Sequence, residues 1–288
     1  MESFNSEFIK FLRIKAYELR QDVVDMVFHS DGRSGHFGGS MSPAEIVTTL
    51  YWYAMNIDSS RPDWEDRSRL VLSKGHSAPI IYAALAHKGY FDRAILKTYR
   101  GDDSILQGHP DFRKTPGLDM SSGSLGQGLS VALGMALGAK QAGKNFHVYA
   151  LLSDGEQDEG MVWEAAMASS HYQVENLTAI VDYNHLQVNG PPSEIMNLEP
   201  LLDKWRAFGW DCLMIDGHDI PSLLSAFEIR KKAKRGPFVI ICRTTKGKGV
   251  SFMENSIDWH HHQITKDLRD QALAELRQTL DELKRSNS

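Results

Sequence analysis

The sequence predicts an α/β fold in which a doubly wound, mainly parallel sheet is flanked by helices. Short apolar runs, which are typical of parallel strands buried on both faces, alternate with longer segments of helical periodicity. The predicted strands are residues 70–72, 148–152, 177–181, 212–215 and 238–242. No repeat, low-complexity tract or linker interrupts this alternation, so we expect a single domain over residues 1–288.

The helices are predicted from apolar spacing and from start signals. Between residues 4 and 28, apolar side chains recur at near-helical spacing and predict a long first helix. At Ser42-Pro43-Ala44-Glu45 a capping box coincides with proline at the first helical position, which predicts a second helix from this point towards Met55. Further helices are expected at residues 76–87, 125–142, 162–171, 200–208, 221–233 and 265–285.

Composition and charge argue against several classes of protein. The formal net charge is −5, so the basic field of a nucleic-acid or anionic-membrane binder is missing. The two cysteines, Cys212 and Cys242, lie inside predicted strands, so we expect buried, reduced thiols instead of a disulfide. No apolar run approaches the roughly 20 residues that span a bilayer. We therefore expect a cytoplasmic protein that binds neither nucleic acid nor membrane.

An acid followed by glycine, Asp154-Gly155, comes directly after the second predicted strand and opens a helix. Ligands in open α/β sheets bind at such strand ends. The next strand leads to Asn184, which offers a second hard oxygen near the first. These groups suit Mg²⁺, which is commonly held by one or two protein side chains while phosphates supply other ligands. A strand-end turn, where Asp and Gly are common for conformational reasons, explains the pair equally well.

Seven short stretches carry a further pattern over almost the whole chain. They are Ser34-Gly35-His36, Leu72-Ser73-Lys74-Gly75-His76-Ser77-Ala78-Pro79, Gly108-His109-Pro110, Gly123-Ser124-Leu125-Gly126-Gln127-Gly128, Asp154-Gly155-Glu156-Gln157-Asp158-Glu159-Gly160, Asp182-Tyr183-Asn184, and Lys246-Gly247-Lys248-Gly249 followed by Trp259-His260. In composition and order they resemble the thiamine diphosphate-binding domain of transketolases.

The resemblance implies thiamine diphosphate and Mg²⁺ as cofactors, with Ca²⁺ or Mn²⁺ as substitutes for the metal. Asp154, Asn184 and the main-chain carbonyl of Leu186 would ligate the metal, together with diphosphate oxygens and a water. Ser153 and Tyr183 depart from the usual family residues, but neither change removes a ligand. Contacts with the cofactor are implied for His76, Gly123, Ser124, Leu125, Gly155, Glu156, Asn184, Lys246 and His260.

The resemblance also assigns roles to some of the twelve histidines and to two glutamates. His36 and His260 would contact the hydroxyl at the bond being cleaved, and His109 would contact the hydroxymethyl end of the donor. Glu159 and Glu164 would lie at a dimer interface in a proton network, although glutamates on helix surfaces are ordinarily just solvated. Six histidines outside the matching motifs are expected to be structural: His29, His87, His147, His171, His185 and His218. His261 and His262 have no assigned role.

Three other motifs do not support the ligand sites that they suggest by themselves. Residues 138–144 have the spacing of a phosphate-binding loop, but Asn145 replaces the required Ser or Thr, and the segment ends a helix instead of following a strand. We interpret it as a helix C-terminus with Gly143 in the left-handed conformation. The glycines of residues 123–128 do not have the spacing of a dinucleotide-binding fingerprint. The run of histidines at 260–262 resembles a metal tract by itself, but His260 belongs to the family motif.

The implied activity is a transketolase reaction, the reversible transfer of a two-carbon ketol unit from a ketose, phosphorylated or similarly anionic, to an aldose. Single-chain members of the family continue into pyrimidine-binding and carboxy-terminal domains, so we expect these on a partner subunit in an assembly with two copies of each chain. Two alternatives stay open: the α subunit of a 2-oxo acid dehydrogenase, which shares the metal ligands, and a non-catalytic module that kept the fold. The set of histidines favours sugar chemistry.

Overall fold

A computed structural model describes residues 4–30, 34–233 and 235–286. Its centre is a five-stranded sheet in the order β1-β2-β3-β5-β4, and every pair of neighbouring strands is parallel. The strands are β1 (Arg69–Leu72), β2 (Val148–Ser153), β3 (Leu177–Tyr183), β4 (Asp211–Asp216) and β5 (Phe238–Arg243). The predicted fold class is confirmed, and each predicted strand is present.

The strands differ in how far their side chains are buried. Every side chain of the central strands β2 and β3 is buried, whereas β4 lies at one edge and its side chains are exposed or only half-buried. The flanking helices cover the centre of the sheet more fully than the edge formed by β4, whereas β1 at the other edge is mostly buried. The prediction of two buried thiols is therefore wrong for Cys212, which is half-buried, and correct for Cys242 in β5; both cysteines are free.

Helices cover both faces of the sheet. They are α1 (Ser6–Phe28), α2 (Gly38–Met41), α3 (Ala44–Thr49), α4 (Ala78–His87), α5 (Gln127–Gln141), α6 (Gly160–His171), α7 (Pro192–Ile195), α8 (Leu201–Ala207), α9 (Ile220–Lys232) and α10 (Lys266–Arg285). The longer helices agree with the predictions. Helices α2 and α7 and the 3₁₀ turn Arg93–Thr98 were not predicted, because such short elements show no periodicity.

The capping box predicted at the start of the second helix is not formed, although the helix itself is present. The hydroxyl of Ser42 caps nothing and donates to Asp182 Oδ2 at 2.6 Å. Glu45 pairs with Arg20 instead of closing the capping box. Helix α3 continues through a π-helical turn, Leu50–Ala54, and ends close to the predicted point. Ser42 and Glu45 therefore bond residues that are distant in the sequence, and the local cap is not formed.

The C-terminus of α5 has the predicted form. The helix ends at Gln141, and Gly143 adopts a left-handed conformation with φ of 65°. The N–H of Lys144 donates to the carbonyl of Ala139, which closes the last turn. The interpretation of residues 138–144 as a helix end is confirmed.

The sheet separates two hydrophobic cores, as the alternation of side chains along a strand requires. In β2, Tyr149 and Leu151 pack into the core that contains residues of α1, α3, α4, α9 and α10. Ala150 and Leu152 pack into the second core, against residues of α5, α6 and α8. The carboxyl ends of the strands thereby lie between two rigid layers.

A buried ion pair fastens α1 to α3. Arg20 donates to the two carboxylate oxygens of Glu45 at 2.6 and 2.7 Å, and His218 Nδ1 lies 2.9 Å from Glu45 Oε2. Burial by itself would raise the pKa of Glu45, but the charge of Arg20 and the hydrogen bonds from His218 and Arg20 outweigh it and lower the pKa to about 2. The pair therefore stays ionised at neutral pH.

We predict that Arg20→Met lowers the free energy of unfolding of the full chain by about 3–5 kcal/mol, because it leaves a buried carboxylate without its cation. Denaturant titration followed by circular dichroism measures this. The matched control is Lys15→Met, which breaks the more exposed pair between Lys15 and Glu18 and should cost no more than about 1 kcal/mol. Equal losses in the two variants would contradict the prediction.

The same pair sets a pH dependence whose sign follows from the lowered pKa of Glu45. Its contribution to stability is complete above the unfolded pKa of 4.5 and disappears as the pH falls towards about 2. The difference in stability between the wild type and Arg20→Met should therefore shrink over this window.

Candidate functional site

A cavity of about 210 Å³ opens at the carboxyl ends of β2 and β3. The register pairs Ser153 with Asp182, so the residues that follow these two strands lie side by side. Eight of the residues predicted from the sequence line the cavity: His76, Leu125, Asp154, Gly155, Asn184, Leu186, Lys246 and His260. Residues predicted from distant parts of the sequence therefore share one cavity at the strand ends.

Asp154 sits at the base of this cavity with its carboxylate almost fully buried. Its Oδ1 accepts from the N–H of Gly155 at 2.8 Å, and its Oδ2 accepts from the N–H of His185 at 2.7 Å. Burial and then the nearby Asp182 raise the pKa of Asp154 to about 6. A cation beside this carboxylate would relieve that cost. The N–H of Gly155, one of the residues implied to contact the cofactor, donates to Asp154 in this structure.

The loop after β3 contributes oxygen atoms to the same cavity. Asn184 Oδ1 accepts from the N–H of Leu186 at 3.2 Å. The carbonyl oxygens of Leu186 and Gln187 accept from Lys246 Nζ at 2.9 and 3.2 Å. Burial lowers the pKa of Lys246 to about 8, although the charge of Asp154 opposes the shift. The three predicted metal ligands and one lysine therefore converge on one end of the cavity.

Beneath the cavity lies a buried network that was not predicted from the sequence. Asp182 Oδ2 accepts from Lys74 Nζ and, at 2.6 Å, from the Oγ of Ser42. Asp182 Oδ1 accepts from the Oγ1 of Thr244. Lys74 and Asp182 are completely buried. An acid inside an otherwise apolar strand was the signal that could have pointed to this network, because a buried charge needs a partner.

Five histidines form a cluster beside the cavity. The ring centroid of His36 lies 5.4 Å from those of His76 and His260, 6.0 Å from that of His109 and 4.5 Å from that of His261. Four of the five were predicted site residues, and they come from four distant parts of the sequence. The fifth, His261, had no assigned role.

The environment keeps these imidazoles neutral near pH 7. Burial, followed by the neighbouring histidines and Arg100, lowers the pKa of His36 to about 3. Burial, followed by Lys246 and Lys74, lowers the pKa of His260 to about 4. Within the described residues, Nδ1 of both rings is buried and has no hydrogen-bond partner. The hydrogen-bonding capacity of these two atoms is therefore unused within the described residues.

The remaining predicted site residues lie around or outside the cavity. Gly123 approaches His109 closely, since a Cβ atom there would lie 3.4 Å from the ring, and Ser124 is exposed. Glu156 is fully buried, and its carboxylate accepts from the Oγ of Ser73 and from the N–H of Ser153 at 3.1 Å. Its side chain therefore braces the end of β2 and does not line the cavity.

Other residues with a predicted role or environment lie away from the cavity. Glu159, which precedes α6, and Glu164, which lies on that helix, are both exposed. His87 and His147 hydrogen-bond Asp22 and Thr178, both at 2.8 Å.

Two kinds of feature are absent from the described part of the chain. None of its helices is long and apolar enough to cross a membrane. Among the same residues, no three His, Cys, Asp or Glu side chains converge as a metal-binding group. A metal in this cavity would therefore need amide, carbonyl and ligand oxygens beside the one carboxylate.

Comparison with known proteins agrees with this geometry. Residues 13–281 match the family model described as transketolase, thiamine diphosphate binding domain. The 6-deoxy-6-sulfo-D-fructose transketolase subunit SqwG of Clostridium sp. (strain MSTE9) is 47% identical over 242 residues, which cover 84% of this chain and 88% of that protein. An apulose-4-phosphate transketolase subunit of Phocaeicola vulgatus is 37% identical, over 97% of this chain and 99% of that protein.

Longer transketolases match over part of their length. The solved transketolase of Campylobacter jejuni superimposes with a TM-score of 0.86 at 29% identity, and the match covers 95% of this chain and 43% of that one. The chain thus spans less than half the length of that enzyme, and almost the full length of the proteins named as subunits. Since the family model matches most of the chain, the chain belongs to the transketolase family, and residues 13–281 correspond to its thiamine diphosphate-binding domain.

Proposed function

We propose that this chain is the thiamine diphosphate-binding subunit of a transketolase built from two kinds of chain. The assembled enzyme transfers a two-carbon ketol unit reversibly from a ketose to an aldose. The observation that carries the proposal is the single cavity that joins the oxygen atoms of Asp154, Asn184 and Leu186 to the neutral rings of His76 and His260.

The donor groups of the cavity fit Mg²⁺ and a diphosphate. Asp154, Asn184 and the carbonyl of Leu186 supply only oxygen, and magnesium binds in such sites through few protein ligands, while phosphates complete its shell. Lys246, at the same end, would neutralise part of the diphosphate charge. His76 and His260 line the same cavity, and within the described residues Nδ1 of His260 has no hydrogen-bond partner.

Thiamine supplies the carbanion chemistry of this reaction when it is bound. The contribution of this chain is to orient the sugar and to move protons. His36 and His260 would hold the hydroxyl at the bond being cleaved and relay its proton, because a neutral imidazole both donates and accepts. His109 is exposed at the edge of the cluster, where it would bind the hydroxymethyl end of the donor.

We propose an anionic ketose as the donor. Two relatives are named for a sulfonated and a phosphorylated sugar, both of which carry an anionic group. The net charge of this chain is −5, so attraction of an anion must come from local cations such as Lys246 and Arg100.

The partner would carry the pyrimidine-binding half of the site, with two copies of each chain in the assembly. Support comes from the relatives named as subunits, which this chain matches over most of their length, and from the longer single-chain transketolases. Glu159 and Glu164 would lie at the interface between the two sites. Met161 and Met167, exposed on α6 with Glu164, are consistent with a protein-protein contact.

The alternatives considered for the sequence are less favoured. A 2-oxo acid dehydrogenase subunit would explain the Asp154 and Asn184 pair but not the cluster of five histidines. A non-catalytic module would have no need for buried imidazole nitrogens without partners.

We predict that Asp154→Ala or Asn184→Ala abolishes Mg²⁺-dependent binding of thiamine diphosphate to the assembled enzyme. Each change removes a direct oxygen ligand, so the loss should exceed the roughly 10- to 100-fold cost of losing an outer-shell partner. Isothermal titration calorimetry measures the affinity. Asp203→Ala, on the exposed surface of α8, is the matched control and should bind normally. Unchanged cofactor affinity in Asp154→Ala would refute the metal assignment.

We predict that His109→Ala lowers kcat/KM for the ketose donor while leaving the cofactor affinity nearly intact. Loss of one hydrogen bond to the substrate costs about 1–3 kcal/mol, or roughly 5- to 150-fold. Steady-state kinetics and cofactor titration separate the two effects, with His29→Ala as a control histidine outside the cluster. A variant that lost the cofactor and kept its donor kinetics would show that the assigned role is wrong.

We predict that the chain by itself, supplied with Mg²⁺ and thiamine diphosphate, does not transfer ketol units. Activity should appear on addition of a partner chain, whose gene we expect beside the gene for this chain. The assay uses a panel of ketoses and aldoses, and size-exclusion chromatography with light scattering reports the stoichiometry. Robust transfer by the isolated chain would rule out the two-chain enzyme. If the assembly of both chains transferred no ketol unit between any of the sugars, the transketolase reaction would be ruled out.

A further inference from the structure

An isolated antiparallel bridge joins two segments of the histidine cluster. The N–H of Gly35 donates to the carbonyl of His262 at 2.9 Å, and the N–H of His262 donates back to Gly35 at 3.0 Å. Glycine is required at position 35, because a Cβ atom there would lie 2.6 Å from the Cγ1 of Val27. The bridge therefore fixes the residues next to it against each other.

This bridge places His261 against His36. Their ring centroids are 4.5 Å apart with an interplanar angle of 49°. His261 Nε2 lies 3.0 Å from the Oγ of Ser34, a hydrogen bond that also holds the ring. The residue is partly covered by its neighbours but keeps an exposed surface, so the ring is held in place and open to a ligand.

The surroundings of His261 are those of a hydroxyl-binding group. Burial, then Arg100, His109 and His262, lower the pKa of His261, so its ring is neutral near pH 7. With Nε2 paired to Ser34, Nδ1 donates or accepts according to the orientation of the serine hydroxyl. A neutral imidazole suits a sugar hydroxyl better than an anionic group, which would favour a cation.

The spacing of the rings also favours a sugar as the ligand. The ring centroids of His109 and His261 lie 6.0 and 4.5 Å from that of His36, so three neutral imidazoles are close neighbours. An open-chain sugar presents hydroxyl groups on successive carbons and is able to bond neighbouring rings at once. A group fixed in advance by Ser34 loses little entropy when it binds.

We propose that His261, held by Ser34, is a further substrate-binding residue of this site, which contacts a sugar hydroxyl beside those bound by His36 and His109 and so sets the preference among sugars. This inference rests on the proposed function. It assigns a role to a residue that the family motif leaves out.

The test uses the assembled enzyme and a panel of ketoses and aldoses that differ from one another at single hydroxyl groups. His261→Ala should lower kcat/KM by roughly 5- to 150-fold for the preferred sugar and should have little effect for the analogue that lacks the contacted hydroxyl. His261→Asn, which keeps a donor and an acceptor, should retain more activity. Ser34→Ala should show a smaller loss with the same dependence on the sugar.

Cofactor affinity and the selectivity between sugars distinguish binding from a merely structural role. The affinity for thiamine diphosphate should be unchanged in His261→Ala, and His29→Ala should behave as the wild type in every assay. An equal loss with all sugars, a loss of cofactor affinity or unchanged kinetics in His261→Ala would overturn the proposal. If the wild-type assembly transferred no ketol units, the proposed function would fail first; a failure confined to His261→Ala would leave that function intact.

Discussion

The geometry of the cavity depends on one buried carboxylate, Asp182 at the end of β3. Its oxygens accept hydrogen bonds from Lys74, Ser42 and Thr244, which belong to segments after β1, before α3 and after β5. A buried charge is tolerated only when it is paired and fully hydrogen-bonded, so these segments have little freedom to move apart. The same segments carry His76, the start of α3 and Lys246, and their relative positions follow from this network.

Burial shifts the charged groups of the cavity towards their neutral forms. The pKa of Asp154 is raised to about 6 and that of Lys246 is lowered to about 8, while the pKa of His36 falls to about 3. On the function proposed above, a ligand that carries both a cation and a diphosphate would compensate Asp154 and Lys246 together. The histidines would stay neutral, which suits proton transfer to and from sugar hydroxyls.

The sequence by itself determined the sheet, the long helices and the strand-end position of the site. Apolar runs identify parallel strands because both of their faces are buried, and the carboxyl ends of β2 and β3 bring Asp154 and Asn184 together once the strands pair in register. Burial of Cys212 was overestimated because an apolar run does not show whether a strand is central or at an edge. The resemblance to transketolases named four of the five clustered histidines from motifs alone.

Only the tertiary structure decided which partner each polar side chain takes. Ser42 and Glu45 read as a local cap, yet they bond Asp182 and Arg20. His261 lies beside His36 only because the bridge between Gly35 and His262 joins segments more than two hundred residues apart. Local patterns encode the periodicity of the backbone, whereas hydrogen bonds and ion pairs between distant segments depend on how the layers pack, and a single sequence carries no direct signal of that packing.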